Sequence, residues 1–337
     1  MYMRLWLNGP VTMTGTDTSA QVAYPQAPND AVQYPQEPST RVRKINFTVF
    51  GCLVVFFFLY YVDVFLVVVP WLSYSVPGVT NIGVLSMTAG SALYCYLLCV
   101  FKDPGSVPEG WQPDEENGGM KVMEVKRKGG ARVCAKCDKP KPARTHHCRV
   151  CRRCVLRMDH HCPWTNNCIG HANYRAFLLF LIYVVAALVH TLGLLVSHTL
   201  HTLNTSRAQL VLRTGPQGVP VELDDGLKSI WLYALLQTVA FALALPLTVG
   251  LSFLLAYHCH LTLTNKTTIE YQEGVSAHFA ALGGGPAVGD HPYDLGPCAN
   301  LHEVCGDNPG VWPLPPCGAC CGGSGAIEGA GGGTAFR

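Results

Sequence analysis

One segment decides the fold of this chain. It runs from Cys134 to Cys168 and has the sequence CAKCDKPKPARTHHCRVCRRCVLRMDHHCPWTNNC. It holds seven of the 16 cysteines in the chain and interleaves them with four histidines. Cysteine mixed with histidine is typical of metal sites, whereas disulfide frameworks belong mainly to short secreted chains. We therefore expect the segment to bind metal and to lie in a reducing compartment such as the cytosol.

The spacing of the cysteines favours zinc. Cys134/Cys137 and Cys148/Cys151 are two pairs of the form Cys-x-x-Cys, which places two thiolates about one tight turn apart and lets both bind one tetrahedral ion. Each pair needs two further ligands, and two closed sites need eight in all. Six cysteines and two histidines meet that number, but spacing alone leaves open which ligand belongs to which ion. The six cysteines are Cys134, Cys137, Cys148, Cys151, Cys154 and Cys168.

Cys162 is the thiol of the segment that two closed zinc sites leave over. It follows Asp159, His160 and His161 directly. A histidine can take the proton of such a thiol and a carboxylate can orient the histidine, while nearby imidazolium and zinc charge favour the thiolate. Two interpretations stay open at this point, a catalytic nucleophile and a ninth zinc-associated thiol without chemistry.

Four apolar stretches lie on either side of this segment. Only 14% of the residues are charged, against about 25% in an ordinary soluble domain. Each stretch exceeds the ~20 residues that a helix needs to cross a ~30 Å hydrocarbon core. The sequence therefore predicts an α-helical integral membrane protein with four transmembrane helices and a small cytosolic two-zinc Cys-rich domain between helices 2 and 3. The stretches are about 45–69, 80–101, 176–200 and 230–257.

The basic residues predict the orientation. The 102–175 segment holds 15 of the 24 lysines and arginines, whereas the 71–79 connector holds none and the 201–228 loop holds three. The positive-inside rule then places both termini and the Cys-rich domain in the cytosol. Asp63 is the one charge inside the first apolar stretch. An acid at that depth is a functional candidate, although a side chain that only faces the other helices is the simpler interpretation.

The four residues from Asp159 to Cys162, inside a Cys-rich domain between the second and third predicted spans, resemble the DHHC family of protein S-acyltransferases. The resemblance covers about residues 45–316 and leaves both tails outside. The further matching motifs are Asp103-Pro104-Gly105, Thr267-Thr268-Ile269-Glu270 and the C-terminal segments 293–296 and 300–306.

The resemblance implies two closed zinc sites that are structural, because neither keeps an open position for water. The implied ligands are Cys134, Cys137, His147 and Cys154 for one ion, and Cys148, Cys151, His161 and Cys168 for the other.

The resemblance also implies the roles around Cys162. With His161 bound to zinc, His160 is the base and Asp159 orients it. The implied activity is that of a protein S-palmitoyltransferase: Cys162 takes a long-chain acyl group from palmitoyl-CoA or a similar acyl-CoA. It then passes the group to cysteine thiols of membrane-associated substrate proteins at the cytosolic face of the bilayer.

Other residues resemble family positions that bind the acyl donor or support the site. Lys141, Arg144 and His146 are similar to residues that meet CoA, although each could be a solvated charge that favours anionic lipid. Trp164 is similar to a residue near the carboxyl end of the acyl chain, although it could be an interfacial anchor. Thr268 and Asn300 are similar to structural-support residues, and ordinary turn or cap chemistry is the alternative.

The sequence also allows two competing functions to be weighed and predicts a membrane location. A catalytically inactive membrane zinc module that recruits partners accounts for eight ligands but not for Cys162. We expect no nucleic-acid partner, because the net charge is only +2 and the 102–175 segment sets eight acidic against fifteen basic residues. We expect a multi-pass protein of the endomembrane system (Golgi or ER) or the plasma membrane.

Three cysteines lie close together near the end of the chain. Cys317, Cys320 and Cys321 could be acylated, could join a metal site, or could be free thiols.

The sequence divides the chain into six parts. The parts are a 1–44 cytosolic tail, spans 1 and 2 in 45–101, the 102–175 Cys-rich domain, spans 3 and 4 with a lumenal loop in 176–257, a 258–316 cytosolic segment and a 317–337 Gly/Cys-rich tail.

Overall fold

The computed structural model describes residues 46–111, 132–213, 226–274, 291, 293–306 and 308–314. The two predicted tails, with Cys317, Cys320 and Cys321, lie outside these residues.

Four helical stretches of the described chain are long and apolar enough to cross a bilayer, and the predicted four-span fold is confirmed. The last two belong to longer helices, α4 (Tyr174–Arg213) and α5 (Gly226–Leu263). The four spans are Phe47–Leu72, Val76–Phe101, Tyr174–Ser206 and Trp231–Leu263.

The first span changes helix type in its middle. It begins as α1 (Phe47–Tyr61), continues as a π-helix (Val62–Val68) and ends as α2 (Val69–Leu72). Asp63 lies in the π-helical part, is 1% exposed, and accepts a hydrogen bond of 2.5 Å from the Thr191 hydroxyl. The acid therefore faces the other helices, and the bond joins the first span to the third.

A proline near the end of this span also leaves a carbonyl for another helix. Pro70 has no N–H, so it cannot bond back to the preceding turn. The carbonyl of Leu66 instead accepts a hydrogen bond of 3.3 Å from Gln237 Nε2. This bond ties the first span to the fourth.

Three small antiparallel hairpins form the Cys-rich segment between the second and third spans, within the residues that the structure describes. Each strand has only two or three residues, so the hairpins bury too little apolar surface to be stable alone. Such small units usually need a metal or a disulfide. The strands are β1 (Val133–Cys134) with β2 (Lys139–Pro140), β3 (His146–Cys148) with β4 (Arg153–Val155), and β5 (His160–Cys162) with β6 (Asn167–Ile169).

Asn167 fastens the third hairpin to the end of α3 (Val76–Phe101). The last carbonyls of a helix have no partner within the helix. The amide nitrogen of Asn167 donates to the carbonyls of Cys99 at 2.9 Å and Lys102 at 2.8 Å. Asn167 pairs with Cys162 across the hairpin. The same residue therefore fixes the position of Cys162 relative to the second span.

The Asp103-Pro104-Gly105 turn connects α3 to the second hairpin. The carboxylate of Asp103 accepts a hydrogen bond of 2.8 Å from the N–H of Gly105 and pairs with Arg153 at 2.5 Å. Gly105 has a φ of +114°, a conformation that glycine adopts without steric cost.

The segment after the fourth span folds back against α4 and α5. It contains α6 (Thr268–Glu273), α7 (Pro297–Cys305) and a short 3₁₀ turn. Asn300 is fully buried and donates a hydrogen bond of 2.7 Å to the carbonyl of Leu263 at the end of α5. Asn300 thus caps the C-terminal end of α5, and its support role for the site stays a prediction.

Candidate active site

Two groups of four cysteine and histidine ligands come together in the described residues. In each group the donor atoms lie within 4.8 Å of one another. Four sulfur and nitrogen donors at such distances fit tetrahedral zinc and leave no position for a catalytic water. The groups are Cys134, Cys137, His147 and Cys154, and Cys148, Cys151, His161 and Cys168.

The hairpins interlock through these groups. The Cys-x-x-Cys turn of the first hairpin meets His147 and Cys154, which face each other across the second hairpin. The Cys-x-x-Cys turn of the second hairpin meets His161 and Cys168, which face each other across the third. Each metal ion would therefore bind two successive hairpins together.

Cys162 belongs to neither group among the described residues. It ends strand β5, is 6% exposed, and packs in an apolar cluster with Cys99, Phe177 and Leu181 from the second and third spans. The thiol therefore lies where the metal-binding hairpins meet the helix bundle.

His160 is held by a buried carboxylate. Its Nδ1 lies 2.6 Å from Oδ2 of Asp159, which is fully buried. Thr268 donates to the same carboxylate twice, from its N–H to Oδ1 at 2.9 Å and from its hydroxyl to Oδ2 at 2.8 Å. With Nδ1 occupied, His160 presents Nε2 as the ring nitrogen that can take a proton.

The charges of the three groups support one another. Burial alone would raise the pKa of Asp159, but the His160 and Thr268 hydrogen bonds hold that pKa below its ordinary value. Burial alone would lower the pKa of His160, but Asp159 and Cys162 raise it to about 9. Burial would likewise raise the pKa of Cys162, but the hydrogen bond and charge of His160 bring it below its usual range. The arrangement favours a thiolate paired with an imidazolium.

Arg144 has contacts that argue against its expected role as a CoA ligand. It is 6% exposed, and its Nε and Nη2 donate to both carboxylate oxygens of Glu270 at 2.8 and 2.7 Å. Its Nη1 donates to Oδ1 of Asn265 at 2.9 Å, and its guanidinium lies 4.4 Å from the centre of the Tyr293 ring. Its charge is therefore already used to join the hairpins to the segment after the fourth span.

Lys141 and His146 line a cavity of ≈ 390 Å³ beside the first metal group. Lys136 and Arg149 also line it, so the lining holds three basic side chains against one acidic side chain, Glu273. Burial, with the charges of neighbouring Arg132 and Lys141, lowers the pKa of His146 to about 4. His146 can thus offer a hydrogen bond near pH 7 but not a positive charge.

Trp164 lies on the turn of the third hairpin. Its side chain is 65% exposed, and its carbonyl accepts a hydrogen bond of 2.8 Å from the Tyr96 hydroxyl. The backbone of this turn is therefore fixed to the second span, while the indole remains accessible next to Cys162.

One residue of the site escaped the sequence analysis. His258 lies in α5, and one of its ring nitrogens is within 4.8 Å of an Asp159 oxygen and a His160 nitrogen. An ionisable residue within an apolar span is a general signal of function and could have identified it.

The comparisons with known proteins agree with this geometry. Residues 127–275 match the family model described as DHHC palmitoyltransferase. The chain is 43% identical to "Probable protein S-acyltransferase 16" of Arabidopsis thaliana, over 77% of this chain and 84% of that protein. It is 35% identical to "Probable protein S-acyltransferase 15" of the same organism, over 77% of this chain and 92% of that protein. It is 35% identical to "Palmitoyltransferase ZDHHC2" of Homo sapiens, over 56% of this chain and 43% of that protein.

Proposed function

This chain belongs to the DHHC palmitoyltransferase family and is an acyltransferase, and on that premise we propose that it transfers a long-chain acyl group from acyl-CoA to cysteine thiols of substrate proteins through Cys162. One observation carries the proposal. Cys162 is excluded from both metal groups, yet it lies directly beside a histidine that a buried aspartate holds at 2.6 Å.

The first step forms an acyl-enzyme. His160 Nε2 takes the proton of Cys162, and the thiolate attacks the thioester carbonyl of the acyl-CoA. The bond between the acyl carbon and the CoA sulfur breaks, and CoA leaves as a thiol with the proton from His160. In the second step a substrate thiol gives its proton to His160 and its sulfur attacks the acyl carbon. The bond between the acyl carbon and Cys162 Sγ breaks, and Cys162 returns as a thiolate beside the protonated His160. Zinc, when bound, fixes the hairpins that carry His160 and Cys162.

The position of Cys162 suits a donor with one apolar and one charged end. Burial of each CH₂ group contributes ~0.8 kcal/mol, so a long acyl chain partitions among the apolar spans while CoA stays in water. Cys162 contacts the apolar side chains of the second and third spans. Lys141, Lys136 and Arg149 of the cavity beside the first metal group would attract CoA phosphates, and His146 would add a hydrogen bond.

The orientation belongs to the proposal as well. The excess of lysine and arginine in 102–175 supports a cytosolic hairpin domain with both termini on the same side. The substrates would then be membrane-associated proteins with cytosolic cysteines, in the endomembrane system or the plasma membrane.

Labelling with an alkyne analogue of palmitoyl-CoA tests the proposal. Purified protein should take up a label that hydroxylamine removes, and Cys162→Ser should take up none while zinc content stays the same in both. Equal labelling of the two proteins would place the acyl group on another residue. Absence of label on zinc-loaded wild-type protein would favour a module that only recruits partners.

A further inference from the structure

His258 of the fourth span lies against the pair formed by Asp159 and His160. It is 2% exposed, and its ring centre is 5.9 Å from that of His160. The acyl-transfer steps above assign it no proton to carry. A buried imidazole in an apolar span still needs hydrogen-bond partners, because burial of an unpaired polar group costs ~1–3 kcal/mol.

The partner of the His258 ring comes from another helix. Its Nδ1 lies 3.2 Å from the hydroxyl of Tyr174, which begins α4. Thr262 donates its own hydroxyl proton to the His258 carbonyl at 2.8 Å and lies 3.4 Å from the Tyr174 hydroxyl. The Tyr174 hydroxyl is therefore the hydrogen-bond partner that reaches the ring itself, at Nδ1. The Tyr174 bond thus restrains the rotation of the ring at the junction of α4 and α5.

His258 and Phe177 pack against each other and against the same side of the His160 imidazole. The Phe177 ring lies 5.4 Å from His160 at 68° and 4.9 Å from His258 at 80°. The hydrogen bond to Asp159 fixes one ring nitrogen of His160 but leaves the ring able to pivot around that bond. Packing against these two rings restricts this pivot and keeps the other nitrogen directed at Cys162.

Metal binding is a weaker explanation for the same three residues. Asp159, His160 and His258 have donor atoms within 4.8 Å of one another and could in principle hold an ion. Oδ2 of Asp159 already accepts from His160 at 2.6 Å and from Thr268 at 2.8 Å. The 2.6 Å contact is a charge-assisted hydrogen bond, which an ion between these two atoms would break.

We propose that His258 is a positioning residue for the transfer reaction: anchored by Tyr174, it holds His160 in the orientation from which its free nitrogen reaches Cys162. The proposal rests on the proposed acyl transfer through Cys162. His258 has no contact with the basic cavity, so its loss should slow acyl-enzyme formation without weakening the binding of acyl-CoA.

Single-turnover acylation of the full-length, zinc-loaded protein tests this, with palmitoyl-CoA varied to separate the maximal rate from the half-saturating concentration. His258→Leu removes both ring nitrogens at similar volume. We expect its maximal rate to fall about ten-fold, since small misplacements of a catalytic group cost that much or more. The half-saturating concentration should stay within about two-fold of wild type.

Three further variants make the test specific. His258→Asn keeps a polar atom near the Nδ1 position and should recover most of the rate. Tyr174→Phe should slow the reaction, and combined with His258→Leu it should add little, because coupled residues are not additive. His190 is a matched control: it is another histidine of the spans, bonded to Asn81 at 2.9 Å, and His190→Leu should leave the rate unchanged.

The proposal is overturned if His258→Leu keeps a maximal rate within about two-fold of wild type, or if only its half-saturating concentration changes. If that variant loses zinc or thermal stability, Tyr174→Phe decides, and an unchanged rate for it rejects the proposal. Failure of the proposed function is distinct, because wild-type protein would then carry no label on Cys162.

Discussion

Thr268 reaches Asp159 with two hydrogen bonds, one from its backbone N–H at 2.9 Å and one from its hydroxyl at 2.8 Å. Thr268 begins α6 after the fourth span, whereas Asp159 precedes the third hairpin of the Cys-rich segment. The two bonds therefore connect the chain that follows the last span to the carboxylate that holds His160.

Removal of the Thr268 hydroxyl tests that connection. Thr268→Val keeps the shape and the backbone bond but leaves Oδ2 with one donor fewer. A hydrogen bond to a charged group contributes ~1.5–3 kcal/mol, so we expect acyl-enzyme formation to slow by about ten-fold or more. Thr268→Ser keeps a hydroxyl and serves as the matched control. Equal rates for the Val and Ser variants would mean that the hydroxyl does not act on Asp159.

Arg144 should matter for stability more than for donor binding. Its guanidinium and the carboxylate of Glu270 are both about 7% exposed and lie 2.7 Å apart. Arg144→Gln would leave Glu270 buried without its partner, which costs about 3–5 kcal/mol. We expect a clear fall in the melting temperature of the detergent-solubilised protein. A normal melting temperature together with a raised half-saturating acyl-CoA concentration would instead support a CoA-binding role for Arg144.

Lys141, in contrast to Arg144, should matter for donor binding and not for stability. It lines the basic cavity, and its charge can attract phosphate groups of the donor without a structural role. Lys141→Gln should raise the half-saturating acyl-CoA concentration several-fold, more so at low salt because screening weakens such attraction. The melting temperature should not change. An unaltered half-saturating concentration at low salt would exclude Lys141 from donor binding.

The metal groups should differ in their effect on catalysis. The group with Cys168 includes His161, which lies between His160 and Cys162 in the chain. Cys168→Ser should lower zinc from about two to about one per chain and abolish acyl-enzyme formation. Cys134→Ser should lose the same amount of zinc but retain measurable acylation. Its metal group joins the first and second hairpins and has no ligand in the third hairpin, which carries His160 and Cys162. Zinc is measured by elemental analysis, and equal activity losses would contradict this difference.

The sequence was a good guide where the information is local. Cys-x-x-Cys spacing and the ligand number predicted two metal sites and left Cys162 over, the family resemblance supplied the ligands of each site, and long apolar runs identified the four spans. The spacing and the apolar runs both depend on residues close together in the chain.

Contacts between distant residues were not predictable in this way. Arg144 in a loop looks the same whether it binds phosphate or a buried acid, and its partner Glu270 is 126 positions away. His258 belongs to no spacing motif, so only the packing of α5 against the third hairpin reveals its place beside His160. The π-helical Val62–Val68 segment is as apolar as its neighbours, and hydropathy does not separate them.

The most direct test of the account is the identity of the acylated residue and the fate of its acyl group. Protein labelled briefly with palmitoyl-CoA is digested, and the peptide that contains Cys162 is analysed by mass spectrometry before and after addition of a cysteine-containing acceptor protein. We predict one palmitoyl group on Cys162 that disappears as the acceptor gains it. A palmitoyl group on any other cysteine, or one on Cys162 that the acceptor never receives, would contradict the account.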